Sequence, residues 1–392
     1  MTNVKTIDDV DVAGKRVLVR ADLNVPLKEG RVADDTRVVA TLPTVRKLIG
    51  DGARVIICSH LGRPKGAVEP ELSLRPVAAV LSDKLGRDVA FVDTCVGAEA
   101  EAAVKKLADG GVLLLENTRF WPGEEANDPE FARGLAALAD VFVDDAFGTA
   151  HRKHASNYGV AELVKPAVAG YLLAKEIQYF DKLLEDPPRP LIFVLGGAKL
   201  STKLAVVTNM LGTVDHFLIG GGMAYTFLKA RGHSVGSSLV EDDFLPEAAR
   251  VLAEGGGKIE LPVDHVIARG VDDAASAEAV DTPDIPDGYM GVDIGASTSQ
   301  RFTAGTVNAG AIFWNGPMGV FEVAAFADGT EAVARAIAES GAVTVAGGGE
   351  TVQAARQFGV AGRLSHISTG GGASLKYLEG KPLAAIEVLD RK

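Results

Sequence analysis

Short aliphatic runs recur along this chain, and each is followed by a stretch of helical periodicity. In the first half the runs are Val17–Val19, Val55–Cys58, Val89–Val92, Val112–Leu115 and Val141–Val143; in the second they are Leu191–Leu195, Phe217–Ile219, Val343–Val345 and Ile367–Thr369. This alternation favours βαβ units, and therefore parallel sheets with helices on both faces. The 392 residues exceed what one hydrophobic core normally organises, so two domains are expected. An apolar content of 47% with 45 glycines fits a soluble α/β protein rich in tight turns.

In an open α/β sheet, ligands bind outside the carboxyl ends of the strands, so the residues just past each run matter most. The first run leads into Arg20-Ala21-Asp22-Leu23-Asn24, and the second into Ser59-His60-Leu61-Gly62-Arg63. The fourth leads into Glu116-Asn117-Thr118-Arg119, and the fifth into Asp144–Ala150 and then His151-Arg152. Arg20, Arg63, Arg119 and Arg152 are expected to line one mouth, joined by Arg37 from the next segment. The net charge of −12 argues against broad binding to nucleic acid or anionic membranes, so an arginine cluster points to a small anionic ligand. Guanidinium groups grip phosphate and carboxylate in bidentate fashion, each charge-assisted bond being worth about 1.5–3 kcal/mol. If the chain stays extended from Arg20 to Asn24, then Asp22 and Asn24 project with Arg20 and suit hydroxyl recognition. His151 and His154 lack a nearby third metal ligand, so a solvated or phosphate-facing turn is the reading there.

The second half repeats a different feature, a strand ending in glycine. Gly196-Gly197, Gly220–Gly222, Gly347–Gly349 and Gly370–Gly372 each close a run. Such ends suit close approach of backbone to a ligand, or merely make room for helix packing. After Gly196-Gly197, Lys199 is read as opening a helix with Leu200, Leu204, Val207 and Leu211 as its core stripe. Lys199 and Lys203 would then lie one turn apart at a helix N-terminus, an arrangement suited to phosphate. Glu350, at the start of the helix Val352–Phe358, either complements that helix end or, beside a triphosphate, holds Mg²⁺. Trp314–Glu322 reads as a dense turn whose final carboxylate suits ribose hydroxyls, and Asp272–Asp287 as a solvated surface excursion.

Between the halves, Tyr171–Asp186 carries a helical stripe (Leu173, Ile177, Phe180, Leu184) that stops at the prolines 187, 188 and 190. The expected organisation is residues 1–170 as one domain, 171–186 as the joining helix, and 187–379 as a second domain. Cys58 and Cys95 form no C-x-x-C pair, which excludes a disulfide framework; Cys58 reads as a buried small hydrophobe. With no apolar leader and no apolar segment of spanning length, the reading is a cytoplasmic protein. An anionic metabolite on one domain and a nucleotide on the other suggest phosphoryl transfer. A dinucleotide-linked dehydrogenase is disfavoured, because no G-x-G-x-x-G follows an early strand.

At these residues the chain resembles phosphoglycerate kinases. The resemblance rests on Val17–Pro26, Ser59–Gly66, Glu116–Asn127, Asp145–Ser156, Leu195–Lys203, Phe313–Glu322, Gly347–Thr351 and Gly370–Ala373, in the family's order. It implies reversible transfer of a phosphoryl group between 1,3-bisphosphoglycerate and ADP, with Mg²⁺. It also implies two doubly wound parallel-sheet, Rossmann-like domains, a helix joining them over a cleft that closes by a hinge, and a monomer. The C-terminal segment, about 380–392, returns to the N-terminal domain in that family. By the same resemblance Arg37, His60, Arg63, Arg119 and Arg152 hold 3-phosphoglycerate, with Leu23, Leu61 and Gly62 beside it, while Asp22 and Asn24 meet its hydroxyl and carboxylate end. Arg20 and Lys199 flank the group in flight, with Gly371 in the catalytic set. Gly197, Ala198 and Lys203 meet the nucleotide phosphates, Gly291, Asn315 and Glu322 surround the nucleoside, and Gly348, Gly349, Glu350 and Thr351 take the phosphate and metal end. The chain departs from the family in having Glu350 for an aspartate and Thr202 for an acidic residue. Glu350 motivates a second, different class of function: a catalytically silent protein that binds nucleotide or phosphoglycerate.

Overall fold

The computed structural model describes residues 3–392. They divide into two compact units, residues 3–178 with 382–392, and residues 179–381. The division falls inside the helix Tyr171–Leu184, ahead of the prolines that end it.

The first unit is built on six strands in the order Val89–Val92, Val112–Leu115, Arg54–Cys58, Arg16–Ala21, Val141–Asp145, Ala167–Ala169. Every neighbouring pair is parallel. On one face Val17, Val19, Val55, Ile57, Leu114, Val141 and Val143 enter a single core. Leu18, Ile56, Leu113 and Phe142 point the other way and are equally buried. Helices therefore cover both faces, and this is why the strands read as continuous apolar runs instead of alternating ones. The C-terminal segment belongs to this unit. Asp390 N–H donates to Ala167 O at 2.8 Å and Lys5 N–H to Asp390 O at 2.8 Å, while Ala385 N–H donates to Ala150 O at 3.0 Å.

The second unit repeats the plan in the order Ile259–Glu260, His216–Ile219, Leu191–Leu195, Ala311–Asn315, Val343–Ala346, His366–Ile367, again all parallel. A separate antiparallel sheet pairs His265–Ala268 with Glu278–Val280 on one side and Met290–Ile294 on the other. Three sequence expectations change here. Trp314 and Asn315 end a central strand and are buried; they do not begin a turn. Most of residues 272–287 is exposed, yet it contains the edge strand Glu278–Val280 and the buried Ile285. The helix at Lys199 does not form as one piece: Leu200–Thr202 is a 3₁₀ turn, and the α-helix is Leu204–Met210. Its buried stripe is Val206, Val207 and Met210, with Leu204 and Leu211 half-exposed. No helix among the described residues is long and apolar enough to cross a membrane.

The first unit's joint with the long helix is fixed by one carboxylate. Asp145, the last residue of its strand, accepts from the N–H groups of Leu172 and Leu173 at 2.8 and 3.2 Å, capping the helix that starts at Tyr171. A side chain at Gly170 would collide with that carboxylate, so glycine is required there. Burial pushes the neighbouring acid, Asp144, up to about 7. An acid that holds its proton more tightly folded than unfolded weakens the fold as pH rises from near 4 to near 7, because unfolding then releases a proton. Asp144→Asn should therefore remove up to roughly 4 kcal/mol of pH-dependent destabilisation across that window. Denaturant melts at pH 5 and pH 8 check this, and the slope against pH should be shallower in the variant.

Candidate functional site

Because the strands of the first unit run parallel, their carboxyl ends share one edge, and the side chains just beyond them converge there. Arg20 stands beside Cys58 on one flank and Asp144 on the other. It is 1% exposed and held on three sides. Its Nε donates to Ser156 Oγ at 2.8 Å, one terminal nitrogen to Ala21 O, and the other to His60 Nδ1 at 3.1 Å. Arg37 pairs with Asp22 at 2.6 Å. Arg119 donates to Gly62 O at 2.7 Å and pairs with Glu125 at 3.0 Å. Arg152 Nε donates to His151 Nε2 at 3.2 Å. Burial drives the His60 pKa well down, and the charges of Arg20, Arg119, Arg37 and Arg152 lower it further. Those four cations thus act on one point. Arg63 lies on the same turn as His60 but stays exposed.

The extended geometry expected beyond Arg20 stops at Ala21. Asp22 turns back to accept from Asn24 N–H at 3.3 Å, and Asn24 Oδ1 accepts from Gly62 N–H at 2.9 Å. The amides of Leu23 and Leu61 are likewise committed within the protein, to Ser59 Oγ and Asn117 Oδ1. These contacts lock the turns after the first two strands together. Ser59, Asn117 and Ser156 were not singled out from sequence, although each bonds a predicted residue, and neither was Glu124, which accepts from Ser156. Of the solvated or phosphate-facing turn expected at His151 and His154, the solvated reading fails at His154. That ring is buried, its Nδ1 lies 3.8 Å from Glu124, and burial together with Arg20, Arg119 and Arg152 pushes its pKa down to about 3.

In the second unit the glycine ends sort into two kinds. Side chains at Gly196, Gly221, Gly222 and Gly316 would strike the backbones of Pro317, Gly197, Ala198 and Gly196 respectively. There glycine serves the packing of neighbouring loops. At Gly349, Gly371 and Gly372 a side chain would meet nothing within 4 Å, so the backbone faces open space. Lys203 is buried, with its ammonium on Gly196 O beneath the Gly197 and Gly316 turns. Burial lowers its pKa to about 8, while Glu350 opposes that shift. Lys199 is exposed outside the helix; against the cost of burial, hydrogen bonds from Ser201 hold the nearby Glu241 pKa below its ordinary value, with Lys199 adding a smaller push the same way. The predicted pair of lysines on one helical turn is thus split, because the 3₁₀ turn separates them.

Asn315 Nδ2 donates to Gly347 O at 2.6 Å; Thr351 Oγ1 donates to the same carbonyl at 2.7 Å and accepts from Gly316 N–H at 2.7 Å. These two side chains tie adjacent strand ends together, and Gly348 packs on the Asn315 amide. Glu350 stands in the first turn of Gly349–Gln357. An open pocket with about 660 Å³ of empty space is lined by Gly197, Ala198, Gly291, Glu322 and Glu350 of the predicted set. Its remaining wall includes Tyr225, Leu239, Val271, Met290 and Val320, which sequence reading missed. Leu239 and Val271 are about half exposed, at 55% and 47%, an apolar surface suited to the face of a planar ring. Sequence-distant segments build this wall, so no local pattern signals it.

His60 carries a directly testable state. An arginine can only donate, so Nδ1 of His60 must accept and the ring proton must sit on Nε2. In the free protein burial and the surrounding arginines should keep the ring neutral through the range where an ordinary histidine charges. ¹⁵N-resolved NMR should show one Nε2–H tautomer and no titration across the range where an ordinary histidine charges.

A model of a family described as phosphoglycerate kinase matches residues 7–381. A phosphoglycerate kinase of Moorella thermoacetica is 54% identical over 390 residues, covering 99% of both chains. One from Rubrobacter xylanophilus is 52% identical over 388 residues, covering 99% of this chain and 98% of the relative. Among solved structures, the phosphoglycerate kinase from Coxiella burnetii superposes with a TM-score of 0.89 at 42% identity, covering 98% of each chain.

Proposed function

Since the chain belongs to the phosphoglycerate kinase family, and so transfers a phosphoryl group between 1,3-bisphosphoglycerate and ADP in glycolysis, giving 3-phosphoglycerate and ATP, we propose that each unit holds one substrate at its strand-end edge. The first unit takes the phosphoglycerate. Arg37, His60, Arg63, Arg119 and Arg152 hold it mainly through its phosphate, while Asp22 and Asn24 address its hydroxyl and carboxylate end. The second unit takes the nucleotide, with Gly291, Asn315 and Glu322 around the nucleoside and Lys203 with Gly348–Thr351 at the phosphates. The observation that carries this division is the convergence of four arginine charges on His60 at one strand edge.

Transfer forms a bond from phosphorus to a terminal oxygen of ADP and breaks the bond to the acyl oxygen. The carboxylate leaves with low proton affinity, so no general acid or base is required. What remains is in-line positioning and neutralisation of charge on the equatorial oxygens. Arg20 and Lys199 supply that charge, with the bare amides near Gly371. The acyl phosphate must be kept from water, and we assign that to closure of the two units by a hinge.

Mg²⁺ fits as an ion carried on the nucleotide. Among the described residues no cluster of three acidic, histidine or cysteine ligands exists, yet Glu350 offers one carboxylate beside the Gly197 turn and Lys203. Bound there, the ion neutralises phosphate charge, and Glu350 is the residue that would hold it. The protein acts as a cytoplasmic monomer.

Coupled assays of ATP formation test the assignment. Arg20→Ala should lower kcat by about 10²–10³-fold, whereas Arg63→Ala should raise KM for the phosphoglycerate with kcat nearly unchanged. The opposite split would reverse those roles. Lys203 should lose its proton near pH 8 in the free enzyme, so kcat/KM for nucleotide should decline above that pH. Lys203→Arg should move that alkaline limb upward.

A further inference from the structure

The resemblance gives Gly291 to the nucleoside, yet a group of the protein already occupies the place of its missing side chain. A Cβ there would collide with the hydroxyl and ring of Tyr225. Tyr225 stands in the first turn of the helix Met223–Ala230, just behind Gly220–Gly222, and is 4% exposed. Its ring also packs near His265, the two centroids 5.5 Å apart. The ring is thereby fixed, and both Tyr225 and Gly291 line the open pocket of the second unit.

Several backbone donors of that wall are already committed. Gly197 N–H donates to Pro317 O at 2.9 Å, Gly221 N–H to Met318 O at 2.9 Å and Val320 N–H to Val292 O at 2.8 Å. Gly291 N–H donates to Ser238 Oγ at 2.9 Å. The side chains of the wall are apolar apart from Tyr225, Glu322 and Glu350, and the two carboxylates are assigned to the ribose and the metal end. The Tyr225 hydroxyl, in contrast, has no hydrogen-bond partner among the described residues. Leaving such a buried group unpaired costs about 1–3 kcal/mol, which a ligand atom would recover. Burial, with a smaller push from Asp293, raises the tyrosine pKa, so the hydroxyl keeps its proton and can both donate and accept. Leu239 and Val271 offer an apolar surface to the face of a planar ring, and a base carries its polar groups on its edge.

We propose that the Tyr225 hydroxyl is the side-chain group that contacts the polar edge of the nucleotide base, which makes Tyr225 a specificity-determining residue of this pocket. This rests on the reading of the pocket as the nucleotide site. Gly291 then serves the nucleoside indirectly, by leaving room for the tyrosine that meets the base.

Tyr225→Phe deletes one oxygen and keeps the ring over Gly291. Calorimetric titration with ADP should show Kd raised about three- to tenfold, and KM for ADP should rise alike while kcat and KM for 1,3-bisphosphoglycerate stay within about twofold. Analogues of ADP that each lack one polar group of the base (the exocyclic amine, N1, N3 or N7) complete the test. With the unaltered protein, one of them should lose about as much affinity as Tyr225→Phe costs, and Tyr225→Phe should bind that analogue as well as it binds ADP. An unchanged Kd for ADP in Tyr225→Phe, or analogues that lose equally in both proteins, would overturn the proposal. Leu239→Glu, at an exposed position of the same wall, keeps the two readings apart. If it weakens ADP binding while the Tyr225→Phe cycle shows no coupling, only the role of the hydroxyl fails. If neither change alters ADP binding, the nucleotide site itself lies elsewhere.

Discussion

The parallel ladder of each sheet is the constraint on which the chemistry depends. Parallel strands bring all their carboxyl ends to one edge, and the register pairs Arg20 with Cys58 and Asp144 across neighbouring strands. Residues separated by more than a hundred positions thus meet as neighbours. The second unit uses the same rule to gather Gly196, Asn315, Gly347 and Ser368 behind successive strands. Both sheets are buried on both faces, so the edge is where polar and charged groups can be placed.

Placing cations there has a cost that the fold meets in different ways. Arg37 and Arg119 take direct carboxylate partners, Asp22 and Glu125. Arg20, deeper than either, takes only neutral acceptors, with a carboxylate one step removed. Lys203 has a backbone carbonyl and a lowered pKa. A buried charge without a tight ion pair retains a strong attraction for an incoming anion. Arg20 and Lys203 are the deeply buried cations of the two edges, and neither has a carboxylate in direct contact.

The glycine-rich ends show one residue type answering two needs. Around Gly196, Gly221 and Gly316, loops lie too close for any side chain, which makes a rigid floor. At Gly349 and Gly371 the same residue leaves backbone open to solvent. Both patterns look alike in sequence, since a glycine triplet records only that a side chain is absent. What lies opposite it is a matter of tertiary packing.

Much of the molecule was legible because its signals are local. The main strand runs, the helix ending at prolines 187–190, and the arginines placed just after strands all come from periodicity and short-range chemistry. The antiparallel and edge strands at 265–268 and 278–280 were not, being short and flanked by polar chain. The split of Lys199 from Lys203 was missed because helical spacing cannot reveal a 3₁₀ break. Sequence alone determined the main parallel strands and the long joining helix, and which charged side chains stand at strand ends, since these depend on neighbours along the chain. Only the tertiary structure decided that Arg20 is held on three sides, that Glu124 stands behind Ser156, and which glycines are open. Those facts depend on groups far apart in sequence, and the order of strands in the sheet is what brings them within hydrogen-bonding distance.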